Sequence, residues 1–115
     1  MQHGSMHPRA ALLVLALVAG SAAAQSAEDG LNDKQRHGRQ LLAQNCGVCH
    51  LPVTRGAKTY GPVLNKAAAS GNDELARAFI LNGSGRMPAF KYHLKPAEVD
   101  DLVAYIRVVP EQKGD

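Results

Sequence analysis

The sequence predicts one small all-α domain, and three observations carry that expectation. After Pro96, the residues Val99, Leu102, Val103 and Ile106 repeat at i, i+3, i+4 and i+7, the apolar stripe of an amphipathic helix. Upstream, Ser70-Gly71-Asn72-Asp73-Glu74 supplies N-cap candidates and early acidic residues for a helix, and Asn82-Gly83 supplies a stop. No run alternates apolar and polar residues with the period of a strand. At 115 residues, 45% hydrophobic and 20% charged, the chain has room for one domain and none for a separate substrate domain.

The first two dozen residues read as an export signal rather than as fold. Arg9, with His3 and His7, precedes the apolar run Ala10 to Ala19, and Gly20-Ser21-Ala22-Ala23-Ala24 follows. A basic start, a short apolar middle and a small-residue end are the three parts of a secretory signal peptide. A short buried core helix would explain the middle alone. Cleavage after Ala24 leaves residues 25–115 as the domain and directs it to the periplasm. No run reaches the roughly eighteen apolar residues that a membrane-spanning helix needs. Beyond the signal, Met87 is the one methionine left, and His37, His50 and His93 are the remaining histidines.

Residues 25–31 read as a polar leader. Asn32 or Asp33 opens a helix that runs to Asn45 and carries Leu41 and Leu42. Gly38 sits inside it at a cost of about 1 kcal/mol against Ala, which marks a point of close packing. Pro52, Gly56, Gly61 and Pro62 make residues 51–63 a loop. Leu64 to Ala69 is expected to form a short helix, and the next helix runs from about Asp73 to Leu81. Gly83 to Lys95 is a second loop. Pro96 stands at the first position of the last helix, which Pro110 ends.

The chemistry lies in Cys46-Gly47-Val48-Cys49-His50, which uses both cysteines of the chain. Two thiols at this spacing can each add to one vinyl group of a haem, and the next residue is then placed to ligate the iron. Cys-x-x-Cys-His is read as a c-type haem attachment site. Three other readings are weaker. A disulfide between Cys46 and Cys49 would close a tiny loop and stabilise little. A thioredoxin-like dithiol oxidoreductase suits Cys-Gly-x-Cys and an oxidising compartment, but it needs βαβ units. A zinc site lacks the second half of any ligand spacing pattern.

For the other axial position, Met87 lies in Gly83-Ser84-Gly85-Arg86-Met87-Pro88-Ala89-Phe90, a loop rich in Gly and Pro. A methionine that fills a core gap sits on a periodic face. This one does not, so its thioether is free to reach a metal. His93, further along the same loop, is the rival ligand.

Taken together, these segments resemble the class I c-type cytochromes, the small soluble electron-carrier family. Gly38-x-x-Leu41 ahead of Asn45-Cys46-x-x-Cys49-His50 is similar to the family's first helix and attachment site. Gly61-Pro62-Val63-Leu64 resembles the loop whose proline carbonyl accepts a hydrogen bond from the proximal histidine, which makes Pro62 the partner of His50. Phe79-Ile80-Leu81-Asn82-Gly83 leading to Arg86-Met87-Pro88-Ala89-Phe90 resembles the distal methionine segment. Glu98 to Arg107 resembles the C-terminal helix, where an aromatic residue packs on the first-helix glycine. The likeness covers residues 33–108. It departs at Leu42, where the family often has Tyr or Phe. It departs again at Lys95, where a Ser or Thr N-cap is common, so the last helix is expected to start with a weaker cap.

The resemblance implies the cytochrome c fold, three to five helices wrapped around one covalently attached haem c. It implies Cys46 and Cys49 as the thioether attachments, with His50 and Met87 as the iron ligands. With both axial positions filled, no site is open to oxygen or substrate, which argues for an electron carrier and against an enzyme. Its partners would be redox proteins, with a periplasmic dehydrogenase as donor and an oxidase or another cytochrome as acceptor. The alternative is a subunit permanently docked to such a dehydrogenase. Lys and Arg neither cluster nor interleave with aromatics, so nucleic acid is not an expected partner. Residues 51–95 carry Arg55, Lys58, Lys66, Arg77, Arg86, Lys91 and Lys95 against Asp73 and Glu74, a net +5. In the family this middle segment surrounds the exposed haem edge, which implies a basic rim and an acidic docking patch on the partner.

Overall fold

The computed structural model describes residues 29–111, so the signal-peptide reading of residues 1–24 falls outside the described residues. Four α-helices follow one another: α1 (Asp33–Asn45), α2 (Gly47–His50), α3 (Asp73–Asn82) and α4 (Pro96–Ile106). Among the described residues there is no strand, only an isolated bridge between Ser84 and Met87. No helix of the described residues is long and apolar enough to cross a membrane.

A reciprocal cap opens α1. The Asn32 side chain accepts from Gln35 N at 2.9 Å, and the Gln35 side chain accepts from Asn32 N at 2.9 Å. Two N–H groups that no helix carbonyl can reach are satisfied in this way. Ahead of the cap, Asp29 holds Arg36 at 3.1 Å and Arg39 at 3.0 Å, so the polar leader is tied to α1 from Asp29 onward.

The buried face of α1 (Gly38, Leu41 and Leu42) packs on α4. A Cβ at position 38 would collide with the Asp101 carbonyl oxygen and stand 2.6 Å from its carbon and 2.9 Å from Tyr105 Cβ. Backbone approach thus explains a glycine inside a helix, and Tyr105 lies against it as the resemblance implied. Leu102, Val99 and Val103 are almost fully inaccessible. Leu41, Leu42, Ala76, Ile80, Leu94 and Ile106 complete the core. Leu42 is therefore buried where an aromatic is common.

Polar ties at the edges set how the helices lie. His37 Nδ1 is 2.8 Å from the Asp101 carboxylate, joining α1 to α4, and Arg77 Nε donates to Asp100 at 2.7 Å, joining α3 to α4. Pairs this exposed add little stability, so their contribution is to orientation. Arg107, just past α4, donates to Asp73 at 2.6 Å and to the carbonyls of Lys66 and Ala68 at 3.0 and 2.8 Å. It fastens the end of α4 to the start of α3.

Two local expectations need adjustment. The short helix over Leu64 to Ala69 does not form. The Asn65 side chain accepts from Ala67 N at 2.9 Å, a local bond that competes with helix, and a 3-10 turn at Ala68–Gly71 follows instead. Inside that turn Ala69 and Ser70 have φ of 53° and 56°. Left-handed backbone costs a non-glycine residue about 1–2 kcal/mol, and Arg107 bonds the neighbouring carbonyls of Lys66 and Ala68. At α4, Lys95 has no side-chain acceptor, but the Glu98 carboxylate accepts from Lys95 N at 2.6 Å. Half of a capping box is present, so the start is better satisfied than Lys95 alone implies.

The crossing yields a test. Gly38→Ala should lower stability by about 1–3 kcal/mol, as overpacking against backbone does, although alanine is the better helix former. Urea unfolding with a midpoint equal to or above that of the parent would show that α1 and α4 can separate freely.

Candidate functional site

α1 runs almost directly into the attachment turn. Cys46 N donates to Leu42 O at 2.9 Å, and the N–H groups of Cys49 and His50 donate back to Cys46 O at 3.2 and 2.9 Å. The turn brings Cys46, Cys49 and His50 to the wall of one cavity of about 480 Å³, a size usual for small-molecule sites. Leu64, Ala76, Phe79 and Ile80 supply apolar wall, and Leu102 and Ile106 reach it from α4. Pro62 and Met87 line the same cavity. All five residues singled out from the sequence therefore meet at one place.

His50 is 8% exposed, and its Nδ1 lies 2.7 Å from Pro62 O. A carbonyl can only accept, so Nδ1 carries the proton and Nε2 keeps its lone pair for a metal. Gly61 permits this approach, since a Cβ there would stand 2.7 Å from Cε1 and 2.9 Å from Nδ1 of the imidazole. Gly61 N donates to Cys49 O at 2.7 Å, and Thr59 Oγ1 donates to Gly61 O at 2.6 Å. These bonds pin the loop against the attachment turn. A Gly directly before Pro62 is visible in the sequence, but its meaning depends on where the imidazole lies.

Met87 is half-buried and reaches the cavity from a tight turn. Met87 N donates to Ser84 O at 2.9 Å, and Ser84 N donates to Met87 O at 3.1 Å. Gly83 and Gly85 hold positive φ of 73° and 55° on either side of Ser84. A Cβ on Gly83 would run into Met87 O and approach Pro88 C to 2.9 Å, so the turn requires glycine there. Phe90 N then donates to Ile80 O at 2.9 Å and returns the loop to α3. His93 is exposed, sits edge-on to Phe90 with ring centres 6.3 Å apart, and does not line the cavity. At the rim, the Arg86 guanidinium lies 4.7 Å over the Tyr60 ring, a contact that the sequence did not signal.

The donor set fits a haem: two thiols, an imidazole with a free nitrogen and a thioether, gathered in apolar surroundings. It does not fit the competing readings. Burial pushes the Cys46 thiol above its ordinary value, and Cys49 adds to the shift. A redox dithiol needs the reverse, a thiolate held low by its surroundings, and the described residues contain no βαβ unit. Among the described residues no three His, Cys, Asp or Glu side chains are grouped to hold a metal ion. Arg55 and Lys58 line a second hollow that shares His50, Val63 and Leu64 with the first. Arg77 is taken up by Asp100, so only part of the middle-segment charge stands at the site.

A family model described as cytochrome c oxidase, cbb3-type, subunit III matches residues 33–106. The chain belongs to this family of c-type cytochromes. This class I cytochrome is 33% identical over 75 residues to cytochrome c6 of Synechocystis sp., a match that covers 61% of each chain. It thus spans about three fifths of that relative's length. Among solved structures it is similar to the c-type cytochrome SorU from Sinorhizobium meliloti, with a TM-score of 0.52 and 27% identity over 67% of this chain and 91% of that one. Dihydro-heme d1 dehydrogenase NirN in complex with DHE gives a TM-score of 0.55 and 30% identity, over 69% of this chain and 17% of that one. One covalently bound haem c goes with the family.

The buried core of this cytochrome is small, and Val48, Val63 and Phe79 are among the exposed apolar residues that face the cavity. Without the haem that surface meets water. The double variant Cys46→Ala with Cys49→Ala should therefore be largely unfolded when haem-free. A cooperative melt with full helical circular dichroism would show that the protein core suffices alone.

Proposed function

We propose that this cytochrome is an exported single-electron carrier, with Cys46 and Cys49 holding the haem and His50 and Met87 ligating its iron. The observation that carries the reading is that His50 and Met87 come from separate segments to one apolar cavity beside the two thiols. When bound, the haem supplies a one-electron Fe(III)/Fe(II) couple. Pro62 O fixes the His50 tautomer and orientation and makes the imidazole the stronger donor. Met87 offers a soft thioether, which favours Fe(II) and raises the potential relative to a second histidine. His93 stands exposed outside the cavity lining, which supports Met87 over it.

With both donors in place there is no position for a substrate, hence a carrier rather than an enzyme. The export signal read in residues 1–24 supports a periplasmic setting for that role. Arg55, Lys58 and Arg86 give the site a basic border, suited to a redox partner with an acidic patch, a dehydrogenase as donor or an oxidase or cytochrome as acceptor. The likeness to one part of a dehydrogenase favours a second reading, a cytochrome subunit docked permanently to a periplasmic dehydrogenase.

Two experiments test this reading. Met87→Ala should abolish the sulfur-to-iron charge-transfer band at the red end of the ferric spectrum and lower the potential. An unchanged spectrum would move the iron bond to His93 or another group. For docking, Lys58→Glu should slow transfer to the partner more than Lys34→Glu on α1, as measured by stopped flow. The difference should shrink with salt, because the Debye length falls from about 30 Å at 0.01 M to about 8 Å at 0.15 M. Equal slowing would reduce the basic border to a solvated face, and a salt-insensitive complex that co-purifies would favour the docked subunit.

A further inference from the structure

The cavity is bordered by two loops from distant parts of the chain. Residues 51–63 carry Gly61 and Pro62 at His50, and residues 83–95 carry Met87. Among the described residues no hydrogen bond or ion pair joins these loops. What joins them is Arg86 over Tyr60, with the guanidinium carbon 4.7 Å from the ring centre. Each partner sits beside a site residue in the chain: Arg86 precedes Met87, and Tyr60 precedes Gly61-Pro62. Each is also carried on fixed backbone. Ser84 and Met87 exchange two hydrogen bonds around Arg86, and Gly61 N is bonded to Cys49 O. A contact between two such anchored positions acts on the distance between the loops. Tyr60 is 62% exposed, so its ring is not placed there to fill the core. Guanidinium is weakly hydrated and stacks well on aromatic faces, which suits a contact at a wet rim.

We infer that Arg86 and Tyr60 form a cation–π clasp that keeps the Met87 loop closed on the cavity and limits displacement of Met87 by outside ligands. The inference rests on Met87 as iron ligand. Arg86 and Tyr60 are positioning residues: neither supplies a donor to the metal.

The test is imidazole binding to the ferric holoprotein, followed by loss of the sulfur-to-iron band. The pH is set so that imidazole is uncharged and removing a cation does not alter its approach. Arg86→Gln and Tyr60→Leu should each raise the binding constant about two- to fivefold, the factor an exposed cation–π contact provides. The double variant should bind no more tightly than either single one, because both remove the same contact. Tyr60→Phe keeps the ring and should match the parent. Unchanged binding in the single variants, additive effects in the double variant, or Tyr60→Phe behaving like Tyr60→Leu would overturn the clasp. Absence of the band from the unmutated protein would overturn the Met87 ligation first, and the clasp with it.

Discussion

A side chain at position 38 has nowhere to go, because the Asp101 carbonyl and Tyr105 Cβ already stand within contact of the glycine. That approach lets α1 and α4 bury Leu41 and Leu42 against the stripe of Val99, Leu102 and Val103. Its consequences reach the site from both helices. α1 ends at the attachment turn, so its direction decides where Cys46, Cys49 and His50 stand. α4 presents Leu102 and Ile106 as part of the cavity wall. Spread the crossing and the thiols move relative to the wall that receives the haem. The propensity cost of a helix-interior glycine, about 1 kcal/mol, is small beside the burial it permits.

Helices and loops divide the work. The helices give the cavity its apolar surface and the covalent attachment points. One loop brings Pro62 against the imidazole of His50 at the end of α2, the other brings Met87 to the cavity, and both loops are tied down close to those residues. Thr59, Gly61 and Pro62 form a short chain of bonds from loop to attachment turn to imidazole. Ser84 and Met87 close a turn that leaves the methionine backbone little freedom. Bonds this local hold both loops against the cavity without a large core. Part of the apolar surface left over by this small core, including Val48, Val63 and Phe79, faces the cavity.

Much of this was legible in the sequence, for reasons tied to particular residues. The Cys46–His50 run points to haem attachment through its spacing together with its place after a helix and its use of both cysteines. The stripe from Val99 to Ile106 and the stop at Asn82-Gly83 mark helices by periodicity and capping, both local properties. Gly38 announced a close contact because glycine is costly inside a helix, though not the carbonyl that makes it. The misses were local side-chain bonds to backbone N–H groups. Asn65 bonds its own neighbour and removes the helix expected over Leu64 to Ala69, while Glu98 reaches back to satisfy the start of α4.

The sequence by itself determined the helical class, the haem-binding chemistry and the candidate donors, because periodicity, caps and motif spacing act over a few residues. Only the tertiary structure decided which candidate faces the cavity. Met87 lines it and His93 does not, although both belong to one loop, because the Ser84–Met87 turn and the Phe90–Ile80 bond orient that loop against α3. It also decided that Arg77 pairs with Asp100 while Arg86 lies over Tyr60. Such pairings depend on distances between segments far apart in the chain, and no local pattern encodes them.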